Sequence, residues 1–585
     1  MKFKLREGVS SGDDMLETML AARGVKDVDE WLAADTIHSW RLLDDMELAC
    51  EMVNGIVKEE KRICLPVDCD CDGFASAAIL YNFLTGELGV DPELIKYLVH
   101  DGKMHGLHDL MDLIPEDTDL VLIADAGTSD YAEQDELAAR GCKVCVLDHH
   151  QAEYKNSNPD VVTVNNQLDD YPDKSLTGAG IAWQFTRAYM DIYCGLDDYM
   201  DGVDLCAFGN ISDMASYLDP EIRTIVCNGM AQVGEGIDDR GCCSNGFLAA
   251  LMKDNEYTLN KYGGRCYKGC SFALTPFVNA ICRSGTIEEK RGVFSAMLNV
   301  NAHTLVQSKR KGARPGDTVS FPAEASRVAL NVKARQAKEQ AKMVDRIVAK
   351  NELDSDVNVV VCEERYARPE LAGVVANKLQ DMCRRPTIVL LDYPEEGVYR
   401  GSARNCDKSP IEDFRVFCQD SGLVNYAAGH PSAFGVEIPH GNLEKFADYC
   451  ESARLDYTQD ATVTVDLRMT YPKISKIVFN VGDQMSGYVG QQIPPVKVLV
   501  EDIPIGSCDV TFLSPDKSPT LKVVLPNGTQ LLKFKSSKEE VDKLQSADTS
   551  VMMTVVGTPS LNRWNGKVYN QILVDDYFLE EKWIF

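Results

Sequence analysis

From about residue 60 the chain alternates short apolar runs that stop at acids with longer stretches of helical spacing. RICLPVDCDCDG is followed by ASAAILYNFL, DLVLIAD by YAEQDELAARG, and then comes CKVCVLDHH. Unbroken apolar strands interleaved with helices predict a mainly parallel, doubly wound sheet, because such strands are covered on both faces. The preceding residues 1–55 read as a helical segment (DDMLETMLAARG, WLAADTIHSWRLLDDMELACEMVNGIVKEE), and residues 178–300 are rich in helix with few clear strands. Residues 323–350 contain neither Gly nor Pro and predict one long helix. Its length of roughly 42 Å suits a rod between two lobes. A second α/β segment follows (NVVVCEE, ELAGVVANKLQDMC, TIVLLDY, VYRGSAR, FGVEI). After 455 helical spacing nearly vanishes, and short alternating strands and turns predict a small closed barrel of the OB type. The expected fold class is therefore α/β, with two α/β lobes joined by a long helix and a C-terminal OB-type β-barrel. The expected units are a helical segment at 1–55, a first α/β domain at 56–320, a connecting helix at 321–352, a second α/β domain at 353–450 and the barrel at 455–585.

Composition narrows the partners more than the fold. At 585 residues the chain is too long for one core. No apolar run approaches the roughly 20 residues of a membrane helix, and the first thirty residues carry acids and no apolar export signal, so a cytoplasmic location is expected. The net charge of −30 argues against a protein that coats nucleic acid through bulk positive charge. It leaves room for an enzyme that grips phosphates in one locally basic groove while metal ions supply positive charge. Twenty cysteines in 585 residues fall short of a disulfide scaffold and read as reduced thiols. Cys142 and Cys145 form a CxxC, but on a strand they point to opposite faces.

The strongest chemical signal is Asp68-Cys-Asp70-Cys-Asp72-Gly73, directly after the apolar run ICLPV. Three carboxylates this close repel by several kcal/mol at intermediate dielectric unless a cation sits among them. Two further strands end the same way, at Asp125 and at Asp148-His149-His150. One aspartate after a strand is an ordinary helix N-cap, and Asp72 or Asp125 alone would be read so. Three successive strands delivering carboxylates at the carboxyl edge of a doubly wound sheet, where such folds place ligands, fit capping poorly. Carboxylates with one or two imidazoles suit Mn²⁺ or Mg²⁺, and their number suits two ions sharing a carboxylate. Such a pair activates water and neutralises a phosphoryl transition state.

These residues carry a resemblance. DCDCDG, AD at 124–125, DHH at 148–150 and FGNISD at 208–213 resemble the four motifs of the DHH phosphoesterase superfamily. The segments at 165–185, SFALTPFVNAICR at 271–283, YRGSARN at 399–405, AAGHPSAFGVEI at 427–438 and LNRWNG…NQILVDDY at 561–577 are similar to its RecJ branch, in the same order along nearly the whole chain. The resemblance implies DHH and DHHA1 lobes with an OB domain. It implies a single-stranded-DNA-specific exonuclease that works from the 5′ end, releases mononucleotides and serves DNA repair, recombination and replication. Carried over residue by residue, Asp70, Asp72, Asp125, His149 and Asp213 match ligands of two divalent ions, and Asp68 matches a position close to them. His150 matches the residue that positions the scissile phosphate, and Arg283, Ser402, Arg404 and His430, with Gly429 of the same loop, match groups that hold substrate phosphates. His105 stands where the family has a tyrosine near the substrate path. RPELAG at 368–373 replaces a histidine-bearing family segment, and the Gly-Gly-His loop is Ala428-Gly429-His430 here. Lys533, Lys535, Lys538, Arg563, Trp564 and Tyr569 are candidates for strand binding by the barrel.

Two other readings remain at this point. A phosphodiesterase of the same superfamily, acting on oligoribonucleotides or cyclic dinucleotides, typically lacks the barrel and the extra helices. A catalytically dead scaffold loses metal carboxylates, and every one is present here. The expected partners are single-stranded DNA and a single-strand-binding protein or helicase, with no membrane, and the chain is expected to act as a monomer.

Overall fold

The computed structural model describes all residues except 1, 11–13, 103, 234–243, 363–367, 407–408, 458–461, 472, 516–517, 565 and 582–585, and for Trp564 the backbone alone. Along the chain run β1 (Lys2–Leu5), β2 (Ile63–Val67), β3 (Ile95–Val99), β4 (Leu120–Ala124), β5 (Lys143–Asp148), β6 (Val161–Asn165), β7 (Leu305–Gln307), β8 (Thr318–Ser320), β9 (Asn358–Cys362), β10 (Thr387–Tyr393), β11 (Val398–Arg404), β12 (Tyr426–His430), β13 (Ala433–Pro439) and β14 (Thr462–Val465). The C-terminal strands are β15 (Leu467–Thr470), β16 (Val498–Pro504), β17 (Asp509–Leu513), β18 (Thr520–Val524), β19 (Gln530–Phe534), β20 (Val551–Trp564) and β21 (Lys567–Glu581).

The first sheet has the order β3-β2-β4-β5-β6 and is parallel throughout, as the apolar runs require. Every residue of β2 and β4 is buried. Val67 stands beside Ala124 and Ala124 beside Leu147. The next residues, Asp68, Asp125 and Asp148, therefore stand in one row at the sheet's carboxyl edge, Asp148 as the last residue of β5. Helices Cys71–Asn82, Gly178–Cys194 and Val203–Ser212 cover one face through Phe74, Trp183, Phe185 and Phe208, all fully buried. Cys142 and Cys145 sit in different core clusters on the two faces, and every described cysteine is a free thiol. Among the described residues no helix is long and apolar enough to cross a membrane.

The long helix runs Phe321–Lys350, with the Ser320 hydroxyl accepting from Ala323 N at 3.4 Å. Its middle is tied to the first lobe by Gln336 Nε2 donating to Ser284 Oγ (3.1 Å) and to the second by Gln340 Nε2 donating to Val374 O (2.7 Å). The second lobe is a mixed sheet, β12-β13-β11-β10-β9, in which only β9 and β10 run parallel. The C-terminal domain is a largely antiparallel seven-stranded sheet of the expected OB-like kind, ordered β15-β16-β20-β21-β19-β18-β17. Two helices that the alternating pattern hid, Lys476–Ser486 and Lys538–Gln545, pack against it.

The beginning of the chain is not purely helical. β1 pairs in parallel with β14. Asp466 accepts from Arg6 Nε and Arg23 Nη2, both at 2.8 Å, and the Arg23 and Asp466 side chains are almost fully buried.

Candidate metal centre and substrate cleft

Local structure at the first strand end explains how three acids share so little space. Asp70 is the N-cap of helix Cys71–Asn82, its Oδ1 accepting from Asp72 N (2.9 Å) and Gly73 N (3.0 Å). The capping role and the cluster are thus compatible in one residue. Asp72, in the first turn of that helix, is 1% exposed and held on both oxygens. Oδ1 accepts from Thr177 Oγ1 (2.8 Å) and Ala179 N (3.1 Å), and Oδ2 from Gly178 N (2.8 Å), at the N-terminus of helix Gly178–Cys194 where the dipole favours an anion. Asp125 follows β4 in the left-handed region, φ +64°, which turns the chain at once and delivers the carboxylate.

The donor atoms fall into three overlapping groups, each within 4.8 Å: Asp68, Asp70 and Asp125; Asp72, His149 and Asp213; Asp125, His149 and His150. His149 Nε2 lies 3.0 Å from Asp125 Oδ1 and 3.8 Å from both Asp72 Oδ2 and Asp213 Oδ2. Burial, then the neighbouring acids, pushes the carboxyl groups of Asp70 and Asp125 up. The same causes push Asp213 up to about 7. Burial lowers His149, keeping its imidazole in the neutral form that ligates. A hard, oxygen-rich set that disfavours its own charge fits divalent ions such as Mn²⁺ or Mg²⁺. Asp125 belongs to two of the groups, which suits it to shared ligation.

Asp148 departs from the expectation that all three strands deliver a carboxylate. It turns back under the loop, accepting from Thr128 N (3.0 Å), His149 N (2.7 Å) and His150 Nδ1 (2.8 Å). Burial works to raise its pKa, but the bond and charge of His150 hold it well below the usual carboxylate range. In return, although burial opposes it, Asp148 lifts His150 to about 9, leaving a half-exposed cation beside the acids. His105 belongs to this corner too, with Nδ1 2.9 Å from Asp68 Oδ1 and its ring 4.7 Å from that of His150. The Asp68 contact raises the His105 pKa.

Thr177, Gly178 and Gly209 shape the site without titratable groups, and although they lie in segments that carry the resemblance, the sequence gives them no role. A Cβ on Gly178 would overlap the Asp125 side chain and backbone, and one on Gly209 would overlap Asp72 Oδ1.

Across the cleft, Ser402 and Arg404 point from β11 to one face, and the register places Arg404 opposite Ala433 and Ala433 opposite His430. Arg404 and His430 thus share a rung two strand spacings apart, about 10 Å. His430 and Gly429 are exposed, with φ +130° at Gly429, and His430 does not join the metal-ligand groups. Arg404 Nη1 donates to Ala403 O at 2.7 Å, and a Cβ on Gly373 would stand 2.6 Å from its Nη2. The divergent RPELAG segment therefore lies against the arginine, and its turn Pro369–Leu371 contacts Arg283's helix, Thr275–Ser284. Burial and the Arg283 charge lower the pKa of Arg404, and the same pair of causes lowers Lys333 of the long helix. Arg283 thus stands close enough to both Arg404 and Lys333 for its charge to be felt at each. Lys333 was hidden in the sequence among charges that look like a solvated face.

The barrel candidates are less available. Lys533 is 2.8 Å from Glu540, and Arg563 bonds Asp483 at 2.7 and 3.0 Å. The side chain of Trp564 lies outside the described residues.

Residues 62–208 match the DHH family, N-terminal domain, so the parallel sheet with its acidic edge is a DHH domain. Over nearly its whole length the chain is similar to RecJ-type exonucleases in sequence order, and its fold is like theirs. The SPbeta prophage-derived protein YorK of Bacillus subtilis (strain 168), named as a single-strand DNA-specific exonuclease, is 28% identical over 590 residues, covering 98% of this chain and 97% of its own. The single-stranded-DNA-specific exonuclease RecJ of the same organism is 24% identical over 564 residues, covering 92% of this chain and 64% of its own. The crystal structure of RecJ in complex with Mn²⁺ from Thermus thermophilus superposes with a TM-score of 0.73 at 20% identity, covering 97% of this chain and 77% of that chain. The Mg²⁺ complex of that protein gives 0.67.

Proposed function

We propose that this chain is a metal-dependent exonuclease that hydrolyses the phosphodiester bonds of single-stranded DNA from the 5′ end and releases mononucleotides. The observation that carries this reading is the overlap of three donor groups of carboxylates and imidazoles, accompanied by Arg283, whose charge reaches both Arg404 and Lys333. The first arrangement suits phosphoryl chemistry, and the second suits a polyanion. The relatives' names supply the substrate class.

Asp70, Asp72, Asp125, His149 and Asp213 would hold two divalent ions, with Asp68 beside them. Two such ions lower the pKa of water and offset negative charge on a phosphoryl group in its transition state. His150, charged and oriented by Asp148, donates to a non-bridging oxygen of the scissile phosphate. His105, braced on Asp68, borders the same space. Arg283 and Arg404 grip phosphates from opposite lobes in bidentate fashion, with Ser402, Gly429 and His430 extending that grip along the second lobe. The chain would act as a monomer in the cytosol, on strand ends exposed by a helicase or carried by a single-strand-binding protein, in repair, recombination or replication. We place the unit boundaries at 55–56, 320–321, 352–353 and 450–455.

The test is digestion of single strands and blunt duplexes labelled at either end, with Mn²⁺ or Mg²⁺. The expected result is release of the 5′-terminal nucleotide first and resistance of the blunt duplex. Comparable rates on both forms would overturn the proposal. Hydrolysis confined to short oligoribonucleotides or cyclic dinucleotides would replace it with the small-substrate reading.

A further inference from the structure

The chain carries 90 Asp and Glu against 60 Lys and Arg, yet residues 257–287 contain no carboxylate. Residues 257–316 hold ten Lys and Arg against Glu288 and Glu289 alone. A basic island this long in so acidic a chain has a place in the fold. Helix Tyr267–Ala273 packs on the helix that ends at Asp213 and on the helix that bears Arg283. Tyr267 OH donates to Ala215 O at 3.0 Å, two residues beyond Asp213. On the other side, a Cβ on Gly263 would stand 3.0 Å from the Ser486 carbonyl of the C-terminal domain. The segment therefore spans the seam from the metal centre to the OB-like sheet.

Its surface is aromatic as well as basic. The rings of Tyr262 and Phe272 stack at 4.2 Å between centroids and 16° between planes. Lys261 Nζ and Lys268 Nζ stand 5.2 and 5.9 Å from the Tyr262 centroid. Phe272 is 46% exposed, so the stack leaves a ring surface open to solvent. Burial and then the charge of Lys497, across the seam, push the Lys268 ammonium down, a crowding of like charge that an anion would relieve. Open ring faces with flanking ammonium groups match the two chemistries of a single strand, whose every base has a π-face and whose backbone is anionic.

We propose that the Tyr262–Phe272 stack with Lys261 and Lys268 is a second substrate contact, in which a base stacks on Phe272 while the lysines take the flanking phosphates. This rests on the single-strand exonuclease reading and adds the route by which the strand reaches the metals. The test uses labelled strands of about 20 nucleotides, longer than the roughly 4–16 that one single-strand-binding fold covers. Binding is followed by fluorescence anisotropy in EDTA, and turnover separately with Mn²⁺. Phe272→Ala is expected to weaken binding by about 5- to 100-fold, the loss of one stacked base, and to raise KM with kcat unchanged. Phe272→Trp keeps wild-type binding. A strand of equal length without bases binds the wild type as weakly as the normal strand binds Phe272→Ala. Unchanged affinity in Phe272→Ala, or a fall in kcat at constant KM, overturns the proposal even if the nuclease activity is present. Phe272-dependent binding without any hydrolysis upholds the contact and removes the nuclease reading instead. A wild type that binds no strand overturns both.

Discussion

The two α/β lobes solve the problem of assembling a site in different ways. In the first, all five strands are parallel, so every strand's carboxyl end lies at one edge and residues 57 positions apart, Asp68 and Asp125, become neighbours. In the second, β11, β12 and β13 are antiparallel, and residues meet by rung instead: Arg404, Ala433 and His430 line up across three strands. The parallel edge concentrates charge of one sign until it needs a counterion. The antiparallel rungs spread donors along a line. A compact ion pair and an extended backbone are the ligands those geometries suit.

The comparison breaks first at the parallel edge. Asp125→Ala should lower turnover by more than about 100-fold, beyond the roughly 10- to 100-fold that loss of an outer partner of a metal ligand costs. Excess metal should not restore it, and far-ultraviolet circular dichroism should match wild type. Activity close to wild type in excess Mn²⁺ would mean that no carboxylate is shared between ions. On the rung side, Arg404→Ala should reduce kcat/KM by about ten- to a hundredfold, the worth of one or two charge-assisted bonds. Calorimetric metal binding should be unchanged, and added salt should narrow the gap to wild type. Loss of metal binding in that variant would make the two lobes alike after all.

The smallest effect sharpens what acid crowding means. Glu221, fully buried, accepts from Tyr171 OH (2.8 Å), Gln184 Nε2 (2.9 Å) and His38 N (3.0 Å), with Asp173 and Asp219 nearby. Burial and then those acids push it up to about 8 although its donors oppose them. Its folded pKa lies above its unfolded one, so the stability it contributes is fully present below about 4.5 and is lost as pH rises through about 8. Glu221→Gln should therefore melt at a higher temperature relative to wild type at pH 8.5 than at pH 5.5. An equal offset at both values would show that Glu221 stays ionised throughout. Here a buried acid keeps a proton, whereas the strand-end acids are set to take a cation.

How much of this could be read in advance follows from how each element is encoded. The strand-end acids were legible because apolar runs fix where strands stop and the residue after each stop is the one delivered. Asp148 was misleading for the same reason, since its place in the row is right but donors from its own loop, His149 and His150, and from Thr128 after β4 turn its carboxylate away. Lys333 was illegible because position on a charged helix does not say which charges face a neighbour. Gly178 and Gly209 were illegible because their contribution is the space they leave. The pairing of KFKL at the start with a strand beyond residue 460 has no local signature whatever.

That last pairing has a consequence for the time course of synthesis. The partner of β1, Thr462–Val465, is made some 460 residues after it. At about 5–20 residues per second the interval is roughly 20–90 s. Throughout it, the Arg23 guanidinium, which ends buried against Asp466, lacks that carboxylate, and β1 lacks its partner strand. The DHH domain can be complete on the ribosome well before the molecule is closed. A segment made hundreds of residues later is thus the one that fastens β1 and Arg23 down.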